Sequence, residues 1–370
     1  MSNILFIGPY RQQDGWGVAS RDYAKAFLHS QHEVTLNPIY LSTNVKTSYE
    51  DKWLDIAEKK VHHDYDIVIQ NCLPPYFCKF ADVMNVGLCF FESCNLQHIP
   101  WIDNINLLDM LLVASDFEKQ SLIKAGVTIP IKVLPIPCDV SKFNEKLTLK
   151  QLFNYGHQFK FYCIGEHNRR KNVEDMILAF HREFIYDENV ALVIKLSGAS
   201  SEELTRSISQ QLQSIKKNCG LYPHESKYRQ EILITDRLTD KEIIALHNSC
   251  DCYVSSAFGE SICLGALDAL GFGKTPIVNK NSGTTQFIDN RTGFLVNSFE
   301  VPAIDRMRPL KELYRTQDTW FKIDVLDLQK QMRKAFSMSL SERQTRFVNS
   351  KERIEQHSYD NIGKIIDLIL

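Results

Sequence analysis

Short apolar runs alternate with helix-period segments along the whole chain, a pattern that predicts parallel sheets covered by helices. In the first half the runs are Asn3 to Ile7, Glu33 to Asn37, Asp66 to Gln70, Val86 to Phe90, Met110 to Ala114 and Ile131 to Leu134, each read as a strand. Between the first two, Ala19, Tyr23, Ala26 and Phe27 recur at i, i+4, i+7 and i+8, the apolar stripe of an amphipathic helix. A polar stretch from Gln151 to Gln158, containing Asn154 and Gly156, interrupts the pattern. A second series then runs Lys160 to Ile164, Ala191 to Leu196, Glu231 to Thr235, Asp251 to Ser255, Pro276 to Asn279 and Gly293 to Val296. Val173, Met176, Ile177 and Phe180 supply its first helical stripe, and Glu202 to Lys217 reads as a further helix. After Val296 the chain reads as helical, and Ile362, Ile365, Ile366 and Ile369 form an apolar face that a helix returning to the first domain would bury. Residues 1–150 are therefore read as one open α/β domain, 151–340 as a second, and 341–370 as a helical segment packing back on the first.

Composition supports this. The chain has 370 residues, 44% hydrophobic and 24% charged, enough apolar material for two cores and too much for extended disorder. A formal net charge of -2 removes the strongest electrostatic argument for nucleic acid or an anionic membrane as an obligatory partner, and leaves room for a local basic groove. Met1 to Tyr10 is apolar only over Ile4 to Ile7 and has no basic lead, so it does not read as a signal peptide. No run approaches the ~18 apolar residues of a membrane span, and the expectation is a cytoplasmic protein without integral membrane association. None of the ten cysteines sits in a C-x-x-C pair, and Cys72, Cys89, Cys163, Cys252 and Cys263 lie in apolar contexts, so they read as buried reduced thiols. Cys250-x-Cys252 has no partner pair at zinc-site spacing, and no metal site is expected.

Two α/β domains in tandem place ligands in a cleft between the carboxyl ends of their strands, so the loops there are the place to seek chemistry. The first such loop, Gly8 to Gly17, carries Gly15 and Gly17 ahead of a helix, where backbone N–H groups approach a ligand closely and an anion is favoured. It is not a dinucleotide fingerprint, because Ser20 stands where the third glycine belongs, and it is equally read as a plain strand-to-helix turn. The second, Gly165 to Asn172, sets Arg169, Arg170 and Lys171 between a strand and a helix N-terminus, a positive site suited to a diphosphate; a solvated basic turn is the bland alternative. The third stretch, Ser255 to Phe287, holds Glu260 and Asp268 at what reads as the start of a helix. Eight helical residues would separate these acids by ~12 Å, the reach from sugar to ribose in an extended nucleotide sugar. Amides near Ser261 and Ile262 would face the phosphates between them.

With these motifs in order, the chain resembles the retaining, nucleotide-sugar-dependent glycosyltransferases of the GT-B fold whose mark is E-x7-E, the glycosyltransferase family 4-like group. Here the motif is E-x7-D, Glu260 to Asp268, followed by Ala269-Leu270-Gly271-Phe272-Gly273-Lys274-Thr275-Pro276, which is similar to the family's A-M-A-x-G-x-P. Arg170-Lys171-Asn172 resembles its phosphate-binding R-K-N, Phe294-Leu295-Val296 its G-F-L-V ending, and Leu134 to Asp139 the segment that leaves the first domain. The resemblance implies a GT-B architecture of two Rossmann-like domains facing a central cleft. It implies that Glu260 lies by the transferred sugar, Asp268 binds the ribose, and Lys171 with Arg170 neutralises the leaving diphosphate. It also implies that Gly15, Gly17, Arg169, Ser261, Ile262 and the Gly283-Thr284-Thr285 backbone line the donor, with Arg237 near the base. Glu166 stands where many members have arginine, so Arg169 or Arg170 must supply that charge. The first-domain histidine that members often carry near the sugar is not evident after Val86 to Phe90, where the chain reads Phe91-Glu92-Ser93; Glu92 is assigned its place beside sugar or acceptor, with His98 as competitor.

The implied reaction moves a sugar from a nucleoside-diphosphate sugar to an acceptor hydroxyl with retention, without metal or other cofactor. The acceptor is a glycan, a small molecule or DNA carrying a modified base, as for phage enzymes of this fold. The rival readings are a catalytically idle GT-B protein that binds a nucleotide sugar or glycan, and a sugar-nucleotide epimerase.

Overall fold

The computed structural model describes residues 1–41, 48–60, 62, 64–96, 101–198, 200–304 and 317–370. The chain divides into two units, 1–140 with 355–370, and 141–354. In the first unit, β1 (Asn3–Gly8), β2 (Glu33–Pro38), β3 (Ile67–Asn71), β4 (Met84–Leu88), β5 (Met110–Val113) and β6 (Ile131–Val133) form one parallel sheet in the order β2-β1-β3-β4-β5-β6. Helices α1 (Gly15–Leu28), α2 (Lys52–Glu58), α3 (Ile102–Asn106) and α4 (Asp116–Ala125) connect the strands. The strands are apolar on both sides, as a sheet covered by helices requires; Ile67, Val68 and Ile69 are all buried. Strand order reverses between β1 and β3, and the Gly8–Gly17 loop leaves β1 beside that point. Asp14 caps α1 by accepting the Gly17 N–H at 2.9 Å. A Cβ on Gly17 would stand 2.0 Å from the Gln12 carbonyl oxygen, so this tight approach accepts only glycine.

The second unit contains β7 (Phe159–Glu166), α5 (Val173–Glu183), β8 (Val190–Ser197), α6 (Ser201–Cys219), β9 (Glu231–Ile234), α7 (Asp240–Ser249), β10 (Cys252–Tyr253), α8 (Leu264–Gly271), β11 (Ile277–Asn279) and β12 (Phe294–Val296). Strands β10-β7-β8-β9 pair in parallel, and a parallel bridge from Val254 to Ile277 carries the ladder on to β11 and β12. Read across that bridge, the order β9-β8-β7-β10-β11-β12 is the doubly wound, Rossmann-like one, with its reversal between β7 and β10. Its core joins Phe161, Ile194 and Leu196 of the sheet to Met176, Ile177 and Phe180 of α5.

Beyond Val296 the chain is not helical at once, contrary to expectation. The chain first makes an antiparallel hairpin, β13 (Ser298–Pro302) against β14 (Thr319–Ile323), before α9 (Val325–Phe336), α10 (Leu340–Glu355) and α11 (Tyr359–Ile369). α11 belongs to the first unit and buries Ile362 and Ile366 against α1. Gly363 lets the two close up, since a Cβ there would lie 2.7 Å from the His29 carbonyl oxygen. Tyr359 Oη donates to Asp22 at 2.6 Å on the same seam. Among the described residues no helix is long and apolar enough to cross a membrane, and none of the ten cysteines is in a disulfide.

Candidate active site

Strands β7 and β10 are neighbours at the reversal of strand order, and the two segments leaving their carboxyl ends are tied directly together. After β7, the Asn168 side chain accepts the Lys171 N–H at 3.1 Å and closes a single 3₁₀ turn, Arg169–Lys171. Asn172 ends the turn in the left-handed region, at φ 48° and ψ 43°, which asparagine tolerates better than most residues. Its Nδ2 donates to Asp175 at 2.9 Å and to the Ser256 carbonyl at 3.1 Å. From the β10 side, Ser256 Oγ donates to the Asn172 carbonyl at 2.8 Å and the Phe258 N–H to the Arg170 carbonyl at 2.8 Å.

This bracing delivers Glu260, 5% exposed, between two cations. Lys171 Nζ donates to Oε1 at 2.5 Å; Arg170 Nη1 donates to Oε2 at 3.0 Å and to the Gly259 carbonyl at 2.7 Å. Burial pushes the Glu260 carboxyl up, but the charges and hydrogen bonds of Lys171 and Arg170 outweigh it and hold the carboxyl below its ordinary range. Both cations are thus held, with the carboxylate, in a largely enclosed place. The Gly283 N–H donates to the Glu260 carbonyl at 2.8 Å, while the side chains of Ser282 and Thr284 bond each other at 2.5 Å, so the Gly283–Thr285 segment braces the acid from behind. Arg169 turns aside to Glu174 at 3.1 Å and lies 5.0 Å from the centre of the Phe258 ring.

Glu260 and Asp268 do not share a helix, contrary to the expectation from their spacing. α8 begins only at Leu264, so Glu260 precedes the helix and the helical rise does not measure its distance from Asp268. Cys263, at φ 59° and ψ 75°, makes a left-handed turn between them. Nothing in its residue type announces that turn. Asp268 lies on α8 and pairs with Lys142 at 2.7 Å, a partner from the 140–144 segment that sequence reasoning passed over. Tyr253 Oη donates to the Ile164 carbonyl at 3.1 Å and lies so near Gly265 that a Cβ there would be 2.6 Å away, which joins α8 to the end of β7.

Ser261 and Ile262 are buried in the loop before α8, and Arg237 is exposed after β9. Gly15, Gly17 and Glu92 lie in the first unit, with Glu92 half-buried after β4; His98 lies outside the described residues. Two open hollows contain none of these residues: one at Lys79, Asp82 and Asp109, the other at Lys216, Tyr222 and Tyr228. Among the described residues no group of three or more His, Cys, Asp or Glu is arranged to hold a metal ion.

On the neighbouring α7, His247 stacks on Phe272 and its Nδ1 accepts from Tyr162 Oη at 2.7 Å, with no partner for Nε2 among the described residues. Burial lowers its pKa to about 4, against a smaller upward pull from Asp268. The unfolded chain therefore binds the extra proton first: stability is complete above about 6.5 and declines as pH falls towards 4. The loss over that window is on the order of 3 kcal/mol. Urea unfolding at pH 7.5 and pH 5 is expected to show a larger difference in the wild type than in His247→Gln; equal differences would remove His247 as the cause.

Residues 145–307 match the family model described as glycosyl transferases group 1. No curated protein matches the chain in sequence. Among solved structures, Anabaena HepE in complex with UDP and glucose is similar at TM-score 0.68 and 14% identity, over 100% of this chain and 99% of that one. Sucrose-phosphate synthase from Thermosynechococcus elongatus is similar at TM-score 0.65 and 14% identity, over 100% and 98%. The N-terminal domain of Candida albicans trehalose-6-phosphate phosphatase is similar at TM-score 0.69 and 13% identity, over 100% and 97%.

Proposed function

We propose, for a chain that is a glycosyltransferase of the GT-B fold with a group 1 domain, that it moves a sugar from a nucleoside-diphosphate donor to an acceptor hydroxyl with retention and without a metal. The observation that carries this reading is the enclosed triad of Glu260, Arg170 and Lys171 at the carboxyl ends of β7 and β10. Lys171 and Arg170 meet the diphosphate and stabilise the charge that develops as the donor bond breaks, a task that fixed cations perform without a metal. Glu260 stands beside the sugar, where its negative charge stabilises the positive charge growing on the ring. The leaving phosphate departs from the anomeric carbon as the acceptor oxygen bonds on the same face, and the acceptor proton passes to that phosphate.

Asp268, fixed by Lys142, accepts from the ribose hydroxyls; Arg169, Ser261 and Ile262 complete the phosphate end, and Arg237 serves the base. Gly283, Thr284 and Thr285 hold the Glu260 backbone in register with the sugar. Gly15, Gly17 and Glu92 are assigned to sugar, diphosphate and acceptor on their motifs alone. The acceptor is a glycan, a small molecule or modified DNA.

HepE is solved with UDP-glucose, so UDP and UDP-glucose are the first probes. A ligand at about 100 times its Kd adds about 2.7 kcal/mol of apparent stability. The reading expects a raised melting temperature with one nucleoside diphosphate or its sugar, then release of that diphosphate in the presence of an acceptor panel. No shift with any of them would refute it, and binding without release in any acceptor mixture would favour the idle rival.

A further inference from the structure

The β13–β14 hairpin stands outside the parallel sheet, and its second strand lies beyond the stretch that matches the family model. Yet it bonds directly to the loop that carries Glu260. The Phe321 N–H donates to the Phe258 carbonyl at 2.8 Å, and Asn279 Nδ2 donates to the carbonyls of both Phe321, at 2.8 Å, and Ala257, at 3.3 Å. Trp320 stacks on Phe258 with ring centres 5.8 Å apart and planes within 6°. With Ala303 they form a small sealed cluster in which Trp320 is 1% exposed. Lys322, the next residue but one, reaches Asp175 at 3.5 Å, the carboxylate that also holds Asn172.

Phe258 is the point where these ties converge on the cationic turn. Its N–H holds the Arg170 carbonyl, its ring receives the Arg169 guanidinium, and its neighbour Gly259 receives Arg170 Nη1. We infer that the hairpin is a clamp for the Arg169–Lys171 turn, and that Trp320 is a positioning residue which, through Phe258, sets those cations for a diphosphate. The inference rests on the proposed donor reading for its ligand but not for its geometry. An indole stacked in parallel fixes the plane of the Phe258 ring; an aliphatic side chain of similar bulk fills the cluster without fixing it. Loss of that restraint frees the Phe258 N–H from Arg170 and loosens Glu260 two residues on.

The test uses the full chain as Trp320→Leu and Trp320→Phe, with hydrogen exchange and with inorganic pyrophosphate as the probe. In Trp320→Leu, exchange is expected to quicken over 168–172 and 256–260 while the remote strands stay protected, and pyrophosphate affinity to fall about tenfold, the worth of one aromatic pair plus a cation–π contact. Trp320→Phe, which can keep the stack, is expected to stay within about twofold of the wild type. Unchanged exchange in those two segments for Trp320→Leu overturns the clamp, as does quickened exchange spread evenly through the second unit, or equal loss in both variants. If the wild type binds neither pyrophosphate nor UDP, the donor reading fails, and the exchange measurement still decides the clamp.

Discussion

Glu260→Gln is expected to lower the rate of sugar transfer by about two to three orders of magnitude, the usual cost of removing one preorganised electrostatic group from a water-poor site. Glutamine keeps the shape of the side chain and one acceptor oxygen. Its amide nitrogen, however, must face either Lys171 or Arg170, both of which are donors. The charge beside the sugar is lost, and the two cations keep no carboxylate between them. Removing one partner of a fully buried pair costs about 3–5 kcal/mol. Here Lys171 and Arg170 keep side-chain exposures of 21% and 12%, so solvation recovers part of this, and about 2 kcal/mol is expected. The pH dependence separates this from packing damage. Because folding holds the Glu260 carboxyl below its ordinary 4.5, its stabilising contribution is complete above that value and is lost as pH falls through the lower folded one. The stability gap between wild type and Glu260→Gln should therefore be wide at pH 7 and shrink as pH falls below 4.5. Transfer at the wild-type rate in this variant would remove Glu260 from the chemistry, whatever its effect on folding.

The elements of the two sheets are legible in sequence because helices cover both sides. Val190–Leu196, buried throughout and apolar apart from Lys195, has no polar face to obscure it. The hairpin is not legible for the opposite reason. Thr319–Ile323 is a five-residue run without a regular alternation behind a charged stretch, and a single residue, Asn297, parts its partner Ser298–Pro302 from β12, so nothing local separates them. At the site, the residue types at 170, 171 and 260 are legible as a motif, but their partnership is tertiary. It follows from two strands being neighbours at the reversal of strand order, a relation that depends on the topology of the whole sheet. The position of Glu260 before α8 is hidden by Cys263, whose left-handed backbone stops the helix inside a run with no glycine or proline at the break. Lys142 is hidden by distance along the chain, since a lysine in a connecting segment carries no mark of the aspartate it meets.

Lys171→Met is expected to weaken donor binding about tenfold and to lower turnover about a further hundredfold, the two changes appearing together. Methionine preserves the stem, which passes over Gly165 at a distance a Cβ there would meet at 3.6 Å, so the substitution removes a charge and little packing. Glu260 retains Arg170 and stays ionised, and folding stability is expected to change less than in Glu260→Gln. The loss should be larger for turnover than for binding, because charge on the departing phosphate oxygen grows between the bound donor and the transition state, and a fixed cation there gains most from that growth. Lys171→Arg provides the control. Its planar fork carries the same charge but places it on a longer, wider group, so binding should recover more than rate. The readouts are UDP and UDP-glucose affinity by calorimetry and nucleoside diphosphate release at saturating donor. If Lys171→Met binds and turns over as the wild type does, the diphosphate does not rest on this turn, and the donor must lie elsewhere in the second unit or in the first.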